Sequence, residues 1–366
     1  MRRYCSMVLG LALVAIALLV SAELLSARPP ADPTEDQEAL QAFAALHPID
    51  THVHVFKSAP EFQRMLNQLN LKLLNILVVD DTLPYRKDLQ SQIDHALALM
   101  RSSRGHIALC TTFDPYKLNS PSFTEDAIKQ INQNFARGAI AVKIWKNIGM
   151  EIKDRNGRYI MADDAKFEPI YQDIQRHGKT LLAHQAEPDV AWGPADPADP
   201  SWSYYQENPQ WYLGDKKGFP SKKTILAARD HILEQNPKLR VVGVHLGSME
   251  KSLDDMSSHL DRYPNFAIDM AARMEYLMLM PTEQVRSFLI KYQDRVLYGT
   301  DLDVLPTADV SESVKEWQET YVRDWKFLAT DQMVKVGSRQ VRGLKLPEAV
   351  LRKIMHDNAV KWIPGW

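Results

Sequence analysis

Between residues 47 and 301 the chain repeats one alternation: a short apolar run of strand character, then a polar stretch with hydrophobic residues at helical spacing. The runs fall at 48–56, 73–80, 106–113, 139–146, 179–185, 239–246, 265–271 and 295–301. Helical segments near 60–70, 86–103, 123–137, 164–178, 221–235, 249–262 and 281–292 separate them, with more helix after 312 and over 347–361. Strands separated by helices pair in parallel, and eight such units predict an α/β protein built as a (β/α)8 TIM barrel. A doubly wound nucleotide-binding sheet is the rival fold. It would carry a Gly-rich phosphate loop after its first strand, and no G-x-G-x-x-G or Walker sequence occurs.

Two stretches break the alternation. Residues 187–220 follow the fifth strand and carry many prolines with Trp192, Trp202, Tyr204, Tyr205, Trp211 and Tyr212. Long structureless insertions are uncommon and often functional. After strand five this one lies on the face where barrels carry out catalysis, so it is expected either to cover the site or to decorate the surface. A second insertion, 303–345, follows strand eight and contains Tyr321, Arg323, Asp324 and Trp325.

The start of the chain lies outside the pattern. Arg2 and Arg3 precede an apolar run from Met7 to Val20, and small residues follow at Ser21–Ala22 and Ser26–Ala27. This is the form of a secretory signal peptide, over 1–27, and the run is shorter than the roughly twenty residues of a spanning helix. Residues 28–46 read as a linker and lead-in helix, and 47–366 as the barrel. A periplasmic or secreted protein with no stable membrane insertion after cleavage is expected. Beyond the leader Cys110 is the sole cysteine, so no intramolecular disulfide forms, and Cys110 reads as a buried apolar filler. A net charge of -2 with no basic tract argues against nucleic acid as a partner. The partner expected is a small-molecule substrate, and a homo-oligomer through the barrel's helices is compatible with the pattern.

The chemistry sits where the apolar runs stop. His52 and His54 lie in IDTHVHVF, His184 in KTLLAHQAEP, His245 in RVVGVHLGS and Asp301 in RVLYGTDLD. Residues two apart in a strand share a face, so His52 and His54 can point at one ion while Ile49, Thr51 and Val53 face away. His52, His54, His184 and Asp301 offer three imidazoles and a carboxylate, and a catalytic Zn²⁺ keeps a further position open for water. One Zn²⁺ per chain is the expectation, with Mn²⁺ or a second metal as alternatives. His245 is placed as the group that orients or deprotonates the water, its alternative being a structural histidine bonded to a backbone carbonyl. Asp301 can act as ligand, as proton acceptor, or as both. Lys143 in AIAVKIWK shares a face with Ala139 and Ala141. It is read as an ammonium that holds a substrate carboxylate or pairs with Asp301, or as a carboxylated lysine bridging two metals. Arg273, beyond an inward Asp269, and Arg229 and Arg323 are candidates for an anion clamp or for structural ion pairs. Asp50, one pleat below His52, lies too deep to ligate and supports the site.

With these residues placed, the sequence resembles the amidohydrolase superfamily. Within it, the likeness is to the group containing aminocarboxymuconate semialdehyde decarboxylases, other aromatic-acid decarboxylases and lactone hydrolases. It runs from Ile49 to about Trp362, with IDTHVHVF, LLAHQAEP, VVGVHLGS and VLYGTDLD standing for the first, fifth, sixth and eighth strand motifs. The resemblance implies ligation by His52, His54, His184 and Asp301, and His245 as the residue that activates water or protonates an intermediate. In binuclear relatives a carboxylated lysine occupies a place comparable to Lys143. The function expected is a secreted metal-dependent hydrolase using metal-activated water on an ester, lactone or amide. The alternative is a non-oxidative decarboxylase of an aromatic or unsaturated acid, which would need a carboxylate clamp such as Arg273. A non-catalytic ligand-binding barrel is the third reading, and no ligand position is lost to favour it.

Overall fold

The computed structural model describes residues 34–80 and 84–366. The signal peptide expected over 1–27 lies outside the described residues. The chain divides into Met1–Glu38 and Ala39–Trp366. In the first unit Thr34 and Gln37 cap each other, the Thr34 N–H donating to Gln37 Oε1 at 2.8 Å and the Gln37 N–H to Thr34 Oγ1 at 3.2 Å. This reciprocal pair satisfies two amides at a helix start. The lead-in helix begins there, over Glu35–Ala45.

Among the described residues of the second unit, the sheet has nine parallel segments in the order β8-β7-β6-β5-β4-β3-β2-β1-β9. They are β1 Ile49–Val55, β2 Lys72–Ile76, β3 Ile107–Thr111, β4 Ala139–Ile144, β5 Thr180–Ala183, β6 Arg240–Gly243, β7 Phe266–Asp269, β8 Val296–Leu297 and β9 Leu302–Val304. β8 and β9 are halves of one eighth strand, interrupted at 298–301. The interruption still bonds to β1: the Thr51 N–H donates to the Tyr298 carbonyl at 3.0 Å and the Asp301 N–H to the His52 carbonyl at 2.8 Å. Since β8 pairs with β7 and β9 with β1, the ring closes as the TIM barrel the alternation predicts.

Two hydrophobic layers follow from the alternation of strand side chains. Leu74, Cys110, Ala141, Leu182, Val242, Ala267 and Leu297 fill the barrel interior together with Trp362 and Ile363. The Thr180 hydroxyl, at the start of β5, donates to the Trp362 carbonyl, so the chain's end closes the barrel at the N-terminal ends of its strands. Outward residues such as Val53, Val55, Leu73, Val142 and Leu181 pack against the helices. Ala139, expected on the face of Lys143, packs outward instead, because the β3–β4 register shifts between Leu109 and Cys110.

Both insertions are ordered. The one after β5 has two short 3-10 turns, Asp189–Ala191 and Pro209–Trp211, and a helix Trp202–Glu207. Its aromatic residues make a small core: Tyr205, Trp211 and Leu213 pack with Met150, Ala186, Val190 and Ile225, and Trp192, Trp202 and Tyr212 lie against them. The insertion after strand eight holds the helix Val310–Ala329 and a hairpin, β10 Met333–Val336 paired with β11 Arg339–Arg342. Among the described residues no helix is long and apolar enough to cross a membrane.

Candidate metal centre and active site

The expected site residues gather at the C-terminal ends of the strands, but three of them lie just past the regular strand rather than on it. β5 ends at Ala183, β6 at Gly243 and β8 at Leu297, so His184, His245 and Asp301 begin the loops. The turns there are sharp. His245, Leu246 and Ser248 adopt φ of 60°, 57° and 58°, and Asp301 adopts 70°. A left-handed backbone at a non-glycine residue is costly and is held by its surroundings. Here the holders are visible. Asp269 Oδ1 accepts the His245 N–H at 2.7 Å, and the Gly247 carbonyl accepts from Arg229 Nη1 at 2.6 Å. At the other turn Asp50 Oδ1 accepts the Thr300 N–H at 3.1 Å, and its Oδ2 accepts the Thr300 hydroxyl at 2.6 Å and the Tyr321 hydroxyl at 3.2 Å.

Hydrogen bonds fix which ring nitrogen faces inward. Nδ1 of His54 lies 2.9 Å from the Ile76 carbonyl and Nδ1 of His245 lies 2.9 Å from the Ala271 carbonyl. A carbonyl only accepts, so both Nδ1 atoms carry the proton and both Nε2 atoms keep a lone pair in the neutral ring. His52 Nδ1 is bound in the same sense, 3.0 Å from Asp269 Oδ2. Asp269 thus holds a ring and the neighbouring loop with one carboxylate.

These contacts test whether the residues suit a divalent ion. His52 Nε2 and His54 Nε2 each lie 3.2 Å from Asp301 Oδ1. The Lys143 ammonium reaches the His52 Nε2 lone pair, but those of His54 Nε2 and Asp301 Oδ1 face each other and repel unless a cation stands between them, and two imidazoles with a carboxylate suit Zn²⁺ or Mn²⁺. The residues therefore fit the ion. His184 adds a second sign: it is buried and neither ring nitrogen has a hydrogen-bond partner. Its ring lies against His245 and Trp145, with centroids 4.4 and 5.9 Å away. Burial opposes the ionised form of Asp301, but the neighbouring His52 and His245, with His54 beside them, outweigh it and hold the carboxyl well below its ordinary value.

Lys143 and Arg229 do not occupy the substrate-holding places expected of them. Lys143 is fully buried beneath the ligands, its Nζ 2.7 Å from His52 Nε2 and 4.0 Å from the centre of the Trp145 ring. Burial pushes it down to about 8, against the attraction of Asp301 and Asp269. A dication at the His52 lone pair would disfavour the ammonium further, since like charges at that distance repel strongly in a buried site. Arg229, on the helix Lys222–Gln235, is 1% exposed and bonds Asp230 Oδ1 and the Gly247 carbonyl, so it braces the His245 turn. Arg323 pairs with Asp324 at 2.8 Å and Glu275 at 3.4 Å. Of the clamp candidates only Arg273 faces the cavity.

That cavity, of about 510 Å³, opens over His54, His184, His245 and Asp301. The β5 insertion supplies one wall through Ser201, Tyr204, Tyr205 and Trp211. It is pinned by residues that sequence reasoning missed. Lys146 forms a buried ion pair with Glu187, donates to the Tyr204 hydroxyl at 2.7 Å and sits 4.3 Å from the centre of the Trp211 ring. The Tyr205 hydroxyl donates to the other oxygen of Glu187 at 2.9 Å. Farther out, Asp199 accepts from the Tyr276 hydroxyl and pairs with Lys251 at 2.8 Å. Lys146 was legible only as the second lysine of a KIWK run. Removing one partner of a buried pair leaves an uncompensated charge, so Glu187→Gln is expected to lower stability by about 3 kcal/mol. Urea denaturation checks this, and a loss below about 1 kcal/mol would show the pair to be replaceable by Tyr204 and the ring faces.

Comparison with known proteins bears on the fold and the family. No curated protein matches the sequence. Among solved structures, a dihydroxybenzoic acid decarboxylase from Polaromonas, with bound manganese and the inhibitor 2-nitroresorcinol, aligns at 12% identity over 86% of this chain and 96% of that one, with a TM-score of 0.52. The 2,6-dihydroxybenzoate decarboxylase from Rhizobium aligns at 12% identity over 86% and 98%, with a TM-score of 0.50. The dihydroorotase of Campylobacter jejuni aligns at 11% over 86% and 82%, with a TM-score of 0.44. At such identities the likeness is one of fold. The sequence profile of a family described as amidohydrolase matches residues 49–364, which include every residue of the centre. The chain therefore belongs to the amidohydrolase superfamily, as a metal-dependent enzyme.

Proposed function

We propose that the protein is a secreted or periplasmic hydrolase that splits an ester, lactone or amide of a small organic molecule, with one Zn²⁺ held by His52, His54, His184 and Asp301. The observation that carries the reading is the His245 ring: its Nδ1 proton is committed to the Ala271 carbonyl at 2.9 Å, which leaves Nε2 as a base on the cavity wall. A divalent ion at those ligands would polarise a substrate carbonyl and lower the pKa of a water toward neutrality. The protein's own part is proton handling. His245 Nε2 takes a proton from the attacking water as its oxygen bonds to the carbonyl carbon. It then delivers that proton to the departing oxygen or nitrogen as the C–O or C–N bond breaks. Asp269, bonded to the His52 ring and the His245 amide, keeps both histidines in place through the cycle.

Burial holds His245 well below its ordinary 6.5, against the attraction of Asp301. The working form is the neutral ring, and a lowered pKa means that the inactivating proton binds only in more acidic solution. kcat/KM of the metal-loaded enzyme is therefore expected to stay level as the pH falls through 6.5 and to drop below it. A break at or above 6.5 would count against His245 as the base.

Decarboxylation is the second reading. Two solved structures that align with TM-scores of 0.50 and 0.52 carry dihydroxybenzoate decarboxylase names, and the same ligand set could hold a hydroxy-acid. The two reactions part in labelled water. Hydrolysis places one ¹⁸O from solvent in the product, and decarboxylation places a solvent hydrogen on carbon and releases CO₂. Chelation should abolish turnover and Zn²⁺ or Mn²⁺ should restore it. Full turnover after the metal is removed would sink both readings.

A further inference from the structure

We propose that the substrate is a small organic acid with an apolar body, and that its carboxylate is gripped by Arg273. This rests on the reading of the cavity as an active site and narrows what enters it. The argument is one of unbalanced charge. Arg273 is 8% exposed, and its Nε has no hydrogen-bond partner. Its Nη1 donates to the carbonyl of the neighbouring Ala272 at 2.8 Å, which is itself bent by a φ of 53°. Among the described residues no carboxylate lies within ion-pair reach of it.

The other cations of the cavity wall are answered. Lys146 has Glu187, and Arg86 has Asp80 at 2.8 Å. Glu250 and Glu187 bear on Arg273 from a distance and keep it ionised despite burial, but each is already paired, Glu250 with Lys222 at 3.0 Å and Glu187 with Lys146. A buried guanidinium with no counter-ion costs several kcal/mol unless something supplies the missing charge. Asp301 does not, because it faces His52 and His54. Glu207 and Asp303 sit at the exposed rim, where solvent screens them.

The geometry selects the kind of anion. With Nη1 occupied by a carbonyl, the free edge of the guanidinium is that of Nε, where adjacent N–H groups match the two oxygens of a carboxylate. Arg273 lines the same cavity as His54, His184, His245 and Asp301, so an anion held there shares the chamber with the metal ligands. Phe56, Val78, Val79 and Leu305 provide an apolar stretch of wall for the rest of the molecule.

The test is binding, read without turnover. 4-Fluorobenzoate and 4-fluorobenzamide would be titrated by ¹⁹F NMR into metal-stripped wild-type protein and into Arg273→Gln and Arg273→Lys. Wild type is expected to prefer the carboxylate by about tenfold to a hundredfold, the value of a hydrogen bond to a charged group. Arg273→Gln should abolish the preference, and Arg273→Lys, which keeps the charge without the planar edge, should keep only part of it. Equal binding of the two probes by wild type, or no binding of either up to 10 mM, would overturn the proposal. So would a preference that survives in Arg273→Gln, or stronger displacement by inorganic phosphate than by benzoate. Because these arms use protein without metal, their failure is separable from failure of the metal-dependent reading, which metal analysis and the ¹⁸O experiment address.

Discussion

Asp301→Asn is expected to lose its metal and its activity while keeping its fold. The carboxylate is the one anionic donor in the converging group of His52, His54 and Asp301, and its Oδ1 lies 3.2 Å from both imidazole nitrogens. An amide of the same shape offers a dication no charge. Metal content should fall from about one ion per chain to under about a tenth. A metal contributes several kcal/mol to the transition state, so kcat/KM should fall by about 10³-fold or more. The barrel should not suffer. The backbone bond that ties the turn to β1, from the Asp301 N–H to the His52 carbonyl at 2.8 Å, is unaffected by the change. An amide N–H can moreover donate to a lone pair that the carboxylate repels, so the metal-free variant should unfold at or above the temperature of the metal-free parent. Elemental analysis beside thermal unfolding checks both halves. Full metal occupancy in the variant would remove Asp301 from the ligand set.

The ends of the strands show what the sequence could and could not tell. His52 and His54 were placed by parity, because alternation in a strand leaves no freedom once one face is buried. The same rule put Lys143 and Asp269 inward, where they are. Their partners were not legible. Asp269 meets His52 across 217 residues of sequence, and nothing local announces the bond. Nor do letters announce a left-handed backbone at His245 or Asp301, since such conformations in non-glycine residues are stabilised by distant groups such as Asp269, Asp50 and Arg229. A charge pattern shows that Arg229 is cationic, yet only the fold shows it spent on a carbonyl. The hairpin Met333–Arg342 is a different case, for its signal was present. Val334 and Val336 alternate with polar residues and Gly337–Ser338 make the turn, but the stretch lay inside what was read only as an insertion.

The aromatic insertion was legible as to place but not as to mechanism. Its proline and tryptophan content marked it as unusual, and barrel topology put it on the face where the site lies, with cover and decoration both open. What holds it there is the Lys146–Glu187 pair with the two tyrosines, where Lys146 comes from just beyond β4 and Glu187 from just beyond β5. The wall is thus built from the barrel's own loop ends, so the cavity is formed before a substrate arrives.

The second large effect separates base from ligand. His245→Asn is expected to lower kcat by about 10² to 10⁴-fold, the range for loss of a positioned general base, with metal content unchanged. Asparagine is the variant of choice because it tolerates the left-handed backbone at this position better than most residues. The replacement also keeps the amide whose N–H binds Asp269 Oδ1 at 2.7 Å, so the support of the His52 ring survives. What disappears is the nitrogen at Nε2. The part of the acid limb that is not accompanied by loss of metal should vanish with it, since what remains in acid is protonation of the histidine ligands, which releases the ion. The outcome turns on the metal. Unchanged metal with a flattened profile identifies His245 as the proton carrier. A matching fall in metal and rate would make it a ligand instead, and the unpartnered ring of His184, 4.4 Å away between centroids, would become the next candidate for the base.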